Sequence, residues 1–249
     1  IEEAEAVSKA FFALPDDVKR AYKIAGGGGA RGYTPFGTEK AKDAEVFDLK
    51  EFWHVGRDLP EGHSLAEYMA PNVWPSEVEG FRETMSALFT AFEVAGGRVL
   101  EAIALHLGRP RDFFAASVAE GNSVMRLLHY PPLGEGAPEG AIRAAAHEDI
   151  NLITLLMGAS ADGLELLSAS GEWIPVHVED SHLVINVGDM LHRWSNGILK
   201  STPHRVINRS GKARYSCPFF FDPHVSANIA PLESCQAGEG PMFEPINFG

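Results

Sequence analysis

The feature that most constrains the fold is a change in the spacing of apolar residues near residue 122. Before it, apolar residues recur at helical intervals; after it, they form short β-like runs separated by Gly, Pro, Asp and Ser. These predicted strands cover 123–130, 150–156, 163–167, 173–178, 182–187, 190–194, 205–208 and 215–221. So many short strands at this spacing predict a sandwich, a jelly roll or a barrel.

The region before residue 122 is predicted to be mainly helical, with one long helix near 76–107. Ser76 and Glu79 have the spacing of an N-terminal capping box. The apolar residues that follow advance by alternating fours and threes, from Phe81 to Leu107. Helices followed by a β-core predict an α+β fold. Within that core, Gly188-Asp189 and Asn196-Gly197 are typical of tight turns, the second of a two-residue hairpin turn.

Charge and composition exclude several classes of protein. The 249 residues carry a formal net charge of −13, which disfavours nucleic-acid binding and docking on an anionic membrane. No apolar run approaches the ~18–20 residues that span a bilayer. The two cysteines are too few for a disulfide scaffold, so reduced thiols in a cytoplasmic protein are expected. The sequence begins without Met, and we expect an upstream segment to be absent from it.

Three residues of the β-region form a candidate metal site. In an extended segment, His147 and Asp149 point to the same face and Glu148 points to the opposite one. His204 follows Asp149 at a distance of 55 residues. Two imidazoles and one carboxylate are the facial triad of non-haem Fe(II) oxygenases. Alone this pattern is weakly specific, because the chain has ten histidines.

A second candidate site follows the triad. Arg214 and Ser216 share one face of a predicted strand. A guanidinium and a hydroxyl suit a buried carboxylate, and the apolar residues 217–221 indicate that Arg214 is buried. A chelating triad next to a carboxylate clamp predicts a bidentate oxo-acid cosubstrate. A surface arginine without a partner is the alternative.

Several segments together resemble one family. They are His147-Glu148-Asp149 with Leu152-Ile153-Thr154, Asn186 to Leu191, Trp194 to Gly197, Lys200 to Val206, and Arg214-Tyr215-Ser216. In this order and at this spacing, they resemble the isopenicillin N synthase-like branch of the 2-oxoglutarate/Fe(II)-dependent dioxygenases. The likeness extends from the helix near Phe11 to Phe221.

The resemblance implies a fold, a reaction and a set of site residues. The implied fold is a distorted double-stranded β-helix, or jelly roll, with helices outside it. The chain then forms one oxygenase domain over 1–249, with a mainly helical region over 1–120, a catalytic core over 121–224 and a tail over 225–249. His147, Asp149 and His204 are implied as iron ligands. Arg214 and Ser216 are implied as the clamp for the 2-oxoglutarate carboxylate, with Tyr130 contributing its hydroxyl unless it belongs to the core.

The implied activity uses Fe(II), 2-oxoglutarate and dioxygen. Oxidative decarboxylation of 2-oxoglutarate is coupled to hydroxylation, or a related oxidation, of a small molecule. Two alternatives stay open: an oxidase that does not use 2-oxoglutarate, like isopenicillin N synthase or aminocyclopropane-carboxylate oxidase, and a non-catalytic jelly-roll binding protein. The substrate and the oligomeric state cannot be read from the sequence.

Residues expected near the substrate lie in loops and in the last strand. The candidates for lining the pocket are Asn151, Phe219, Phe221, Phe36 and Trp53. The glycine-rich stretch within residues 25–40 lacks the Lys-Ser/Thr of a phosphate-binding loop. It is expected to be a mobile surface loop, which orders when substrate binds if it serves as a lid.

Overall fold

The computed structural model describes residues 1–26, 29–39, 48–132, 143–157, 162–177, 179, 182–207, 211–238 and 240–249. Within these ranges the α-helices are α1 (Glu2–Phe12), α2 (Asp16–Ala21), α3 (Phe81–His106), α4 (Ala115–Val118) and α5 (Asp189–Trp194). Two 3₁₀ turns cover Ser64–Glu67 and Glu233–Cys235. None of the helices in this part of the chain combines the length and the apolar character needed to cross a bilayer.

The strands belong to three antiparallel sheets. The largest sheet contains β1 (Gly32–Thr34), β2 (Glu51–Gly56), β3 (Val124–Tyr130), β5 (Ile153–Met157), β8 (Leu183–Val187), β10 (Arg214–Ser216) and β11 (Pro218–Phe221). The second contains β4 (Ala144–His147), β6 (Leu164–Leu167), β7 (Trp173–Pro175) and β9 (His204–Val206). A small ribbon pairs β12 (Asn228–Ile229) with β13 (Ile246–Asn247).

The large sheet has the order β1-β2-β3-β11-β5-β8, with β10 paired to the far end of β3. The second sheet has the order β4-β9-β6-β7. Most of these strands lie where short β-like runs are predicted. Strands β1, β2, β4, β12 and β13 were not predicted, and β1 and β2 extend the large sheet with residues from the region predicted to be mainly helical.

The large sheet has apolar side chains on both faces, and strand alternation divides them between two cores. One core lies against the helices and contains Trp53, Leu127, Leu155 and Phe219. The neighbouring residues in the same strands point the other way. They form a smaller core with the second sheet, which includes Phe52, Leu128, Leu156, Leu164 and Val206. The face of the large sheet that points away from the helices therefore lines the space between the two sheets.

Helix α3 packs against the face of the large sheet that carries Trp53, Leu127, Leu155 and Phe219. Phe89 and Phe92 contact the ring of Phe219, with centroid separations of 5.1 and 5.2 Å. Gly96 allows the close approach of helix and sheet, because a Cβ atom there would lie 2.6 Å from the ring of Phe221. The capping box prediction is wrong. The helix begins at Phe81 after Gly80, which has a φ of 73°, and the Ser76 amide instead donates to the Tyr22 hydroxyl.

The prediction of a strand over 190–194 is also wrong, since these residues belong to α5. Met190, Leu191 and Trp194 are buried, and the spacing i, i+1, i+4 places them on one face of a helix rather than of a strand. The tight turn predicted at Gly188-Asp189 is the beginning of this helix. Asn196 and Gly197 do adopt left-handed conformations, with φ of 50° and 80°, but they end α5 rather than connect two strands.

The predicted loop over 25–40 lies partly outside the described residues, which omit 27–28 and 40–47. Within it, Gly32–Thr34 is a buried strand paired with β2. Those three residues are part of the large sheet, and the mobility of the rest stays a prediction.

Candidate metal centre

Three side chains converge where the two sheets face each other. His147 ends β4 and lies directly opposite His204 of β9 in the strand register. Asp149 follows two residues after β4. One ligand atom from each of the three lies within 4.8 Å of the others. In the part of the chain that the structure describes, no other cluster of His, Cys, Asp or Glu has this spacing.

Both imidazoles direct the same nitrogen toward the centre. His147 Nδ1 lies 2.7 Å from the Ala145 carbonyl oxygen, and His204 Nδ1 lies 3.2 Å from that of Thr202. A carbonyl only accepts, so each Nδ1 carries the proton and each Nε2 keeps its lone pair. Burial, and then the charge of His204, lower the pKa of His147. The neutral form required of a metal ligand is therefore favoured.

The Asp149 carboxylate is held by one oxygen and offers the other. Thr154 Oγ1 donates to Oδ2 at 2.6 Å, and Asn151 Nδ2 donates to that Thr154 oxygen at 2.9 Å. Oδ1 faces the imidazoles, 3.9 Å from His147 Nε2 and 3.8 Å from His204 Nε2. Two neutral nitrogens and one carboxylate oxygen fit Fe(II), which this donor set binds with open positions for other ligands.

The predicted clamp residues lie against the same centre. Antiparallel pairing of β10 with β3 places Arg214 opposite Tyr130 and Ser216 opposite Leu128. Arg214 and Tyr130 are each only 2% exposed. The guanidinium carbon lies 5.2 Å from the Tyr130 ring centroid, and the two side chains are hydrogen-bonded. A cavity of about 70 Å³ is lined by all three together with the triad.

Sequence reasoning missed several residues of this region. Lys50, Arg126 and Phe220 line the cavity beside the triad. Of the predicted pocket residues, only Asn151 lies close by, in the wall of a larger cavity next to the triad; Phe36 is 43% exposed. Phe219, Phe221 and Trp53 belong instead to the helix-side core. The alternation of side chains along residues 218–221 could have identified Phe220. When Phe219 and Phe221 point toward α3, the side chain between them points to the opposite face of the sheet, where the site lies.

Comparison with known proteins places the chain in a family. A model of the 2OG-Fe(II) oxygenase superfamily matches residues 121–223. A model of the N-terminal region of non-haem dioxygenases, described for morphine synthesis, matches residues 1–77. A 2-oxoglutarate-Fe(II) type oxidoreductase from Emericella nidulans is 36% identical, over 96% of this chain and 71% of its own length. The chain belongs to the 2-oxoglutarate/Fe(II) oxygenase superfamily, in its isopenicillin N synthase-like branch.

Solved structures agree with this assignment. A 2OG-Fe(II) oxygenase family protein from Caulobacter crescentus is 50% identical with a TM-score of 0.89, over 99% of this chain and 81% of that one. A full-length Neurospora crassa protein, solved in complex with alpha-KG (2-oxoglutarate), is 31% identical with a TM-score of 0.88. That match covers 100% of this chain and 79% of the Neurospora protein. The fold is accordingly the jelly roll of these oxygenases.

The protein is a non-haem Fe(II) oxygenase that uses 2-oxoglutarate and dioxygen. Its relatives bear the names of 2-oxoglutarate-dependent dioxygenases, which favours this function over an oxidase that does not use 2-oxoglutarate. The convergent triad argues against a non-catalytic jelly-roll protein.

Proposed function

We propose that His147, Asp149 and His204 hold the iron of this oxygenase through Nε2, Oδ1 and Nε2. The support is that the remaining polar atom of each side chain is already engaged, by Ala145, Thr154 and Thr202 respectively. Such contacts orient metal ligands and increase their basicity. When bound, Fe(II) supplies the oxygen chemistry that converts 2-oxoglutarate to succinate and carbon dioxide and oxidises the substrate.

Arg214 and Ser216 bind the distal carboxylate of 2-oxoglutarate in this proposal. The guanidinium offers two parallel N–H donors and Ser216 adds a hydroxyl donor. Burial lowers the pKa of Arg214 because it desolvates the charge, and a bound carboxylate would offset that cost. Tyr130 orients the guanidinium through its hydrogen bond and its ring.

The observation that carries the proposal is that triad and clamp line one small cavity. Its other walls include Leu128, Leu156, Leu164 and Val206, which exclude water. Low polarity around the cosubstrate strengthens the electrostatic contacts that hold it and protects the reaction from side reactions. In this proposal the charge of Arg214 binds one end of 2-oxoglutarate, and the metal binds the other end.

At a larger scale, residues 1–249 act as a single oxygenase domain, with the catalytic core over 121–224 forming a distorted double-stranded β-helix. Two facing antiparallel sheets with the site between them support that description. The substrate is a small molecule, and neither nucleic acid nor a membrane is a partner, in keeping with the net charge of −13. The protein is cytoplasmic, in keeping with two free cysteines.

The test is the affinity for 2-oxoglutarate in Arg214 variants. Removing one partner of a desolvated charge pair costs ~2–5 kcal/mol. Arg214→Ala should therefore raise the KM for 2-oxoglutarate by roughly 30- to 4,000-fold. Arg214→Lys keeps the charge but loses the planar fork, so it should recover only part of the loss. The measurement is 2-oxoglutarate consumption with release of succinate.

Iron binding is the control for these variants. Anaerobic titration with Fe(II) should give one site per chain in wild type and in both Arg214 variants, since Arg214 does not contact the triad in this assignment. Adding 2-oxoglutarate to the anaerobic Fe(II) protein should produce a weak visible charge-transfer band. If Arg214→Ala leaves the KM unchanged, or if it abolishes iron binding, the clamp assignment is wrong.

A further inference from the structure

A second, larger cavity of about 420 Å³ opens beside the triad. His147 and Asp149 form one side of it, so a molecule bound there lies next to the metal centre. Ile150 and Phe220 contribute apolar surface, and Ile150 is 69% exposed at the opening. The cavity has room for a small organic substrate.

The positive charges in this cavity are already paired. Lys50 Nζ lies 2.8 Å from Asp48 Oδ2 and 2.6 Å from Glu39 Oε2. Arg126 Nη1 lies 3.3 Å from the same Glu39 oxygen. Two cations are thus matched by two carboxylates within the cavity wall, and neither cation needs an anionic substrate.

The Asp222 carboxyl has no cationic partner among the described residues. Asp222 continues β11, and strand alternation places it on the face of Phe220, toward the cavity that both residues line. Asp222 is partly buried in the wall of this cavity. Among the described residues no side chain donates to it; its contact with Ser123 is made by its backbone amide. Burial raises the pKa of Asp222, because the ionised form is poorly solvated without a positive partner.

The cofactors do not supply the missing positive charge. In the proposed function, on which this inference rests, the charges of Fe(II) and Arg214 are balanced by Asp149 and the two carboxylates of 2-oxoglutarate. Among the described residues that line the cavity, Asp222 and the exposed Glu148 are then the carboxylates without a cationic partner. A partly buried carboxylate in that position is stabilised by a ligand that brings a positive charge.

We propose that Asp222 binds a cationic nitrogen group of the substrate, an amine, amidine or guanidine, and so selects a cation for oxidation. The charged group pairs with Asp222, while Phe220 and Ile150 contact its carbon skeleton. A bound cation offsets the cost of ionising Asp222, so the carboxyl is ionised in the complex.

The test compares two probes of the same shape that differ in charge. n-Butylguanidine is a cation at neutral pH, and n-butylurea is its neutral counterpart. Each is titrated by calorimetry into the anaerobic protein loaded with Fe(II) and 2-oxoglutarate. Wild type should bind the guanidine at least about tenfold more tightly than the urea, the difference expected for a hydrogen bond between charged groups.

Two variants test whether Asp222 is responsible for the preference for the guanidine over the urea. Asp222→Asn keeps the size of the side chain and breaks no side-chain contact in the described structure, so it should fold and melt like wild type. It should abolish the preference for the guanidine. Glu148→Gln removes an exposed carboxylate from the same cavity and should keep most of the preference, because solvent screens its charge.

The outcomes separate this inference from the proposed function. The charge-transfer band of the wild-type complex reports whether iron and 2-oxoglutarate bind as proposed. With that band present, three results would each overturn the inference: equal or undetectable binding of both probes by wild type, a preference that survives in Asp222→Asn, or an equal loss in Glu148→Gln. Without the band, it is the proposed function that fails.

Discussion

At the scale of single residues, Thr154 determines which oxygen of Asp149 faces the two imidazoles of the proposed iron site. Its hydroxyl donates to Oδ2 at 2.6 Å, and Asp149 is only 6% exposed. Thr154→Val keeps the shape but removes the donor, so Fe(II) affinity should fall by about 10- to 100-fold. Thr154→Ser restores the hydroxyl and should bind iron nearly as wild type does. Anaerobic metal titrations of the three proteins check this, and equal weakening in both variants would point to packing rather than to the hydrogen bond.

The neighbouring carboxylates at 148 and 149 should differ sharply. Asp149 is buried and faces both imidazoles, whereas Glu148 is exposed. Asp149→Ala removes the carboxylate of the proposed iron site and should abolish succinate release. Glu148→Gln should keep substantial 2-oxoglutarate turnover, measured in the same assay. Similar losses in both variants would contradict the prediction that Asp149 faces the proposed iron site and Glu148 points away from it.

At the scale of elements, the sequence predicted most strands of the core because their apolar runs are short and clearly bounded. It failed where local patterns are ambiguous. Residues 190–194 are too few to distinguish a strand from a helix by composition. Strand β1 is three residues long and its register depends on β2, which no local signal reports. The Asn151–Thr154–Asp149 contacts depend on how residues after β4 turn back toward β5, and side-chain spacing alone does not determine that turn.

Helix α3 offers a matched test of its packing against the sheet. Gly96 and Gly97 are adjacent, so alanine gains similar helix propensity at both, up to ~1 kcal/mol. A Cβ at Gly97 meets nothing within 4 Å, whereas one at Gly96 lies 2.6 Å from the buried Phe221 ring. Gly97→Ala should stabilise the protein, and Gly96→Ala should destabilise it by about 1–3 kcal/mol. Denaturant unfolding of both variants gives the comparison, and stabilisation by Gly96→Ala would show that helix and sheet can separate at little cost.

At the scale of the whole molecule, one buried carboxylate ties the N-terminal region to the catalytic sheet. The carboxylate of Glu51 in β2 accepts a hydrogen bond from Lys19 of α2 at 2.8 Å and another from the Tyr33 hydroxyl of β1. It also lies 2.7 Å from Nδ1 of His129 in β3. The Lys19 and Glu51 side chains are 10% and 5% exposed. This network joins residues before the long helix to a strand that also carries Tyr130, so it links the stability of the site to that of the whole domain.

Glu51 should therefore make the stability of the protein dependent on acid pH. Burial alone would raise the pKa of Glu51, but the hydrogen bonds from His129, Lys19 and Tyr33 more than offset it and hold the pKa below its usual range. A depressed pKa contributes stability above the unfolded-state value of about 4.3, and this contribution is lost as the pH falls through the folded-state value. Glu51→Gln should lose about 3–5 kcal/mol at neutral pH, because it leaves Lys19 buried without its counter-charge. The variant should also lose less stability than wild type as the pH falls below about 4.3.

Glu5→Gln, which breaks the exposed pair with Lys9, should change stability by no more than about 0.5 kcal/mol. Unfolding free energies of the three proteins between pH 3 and 7 provide the measurement, and parallel pH profiles for wild type and Glu51→Gln would rule out this role of the network.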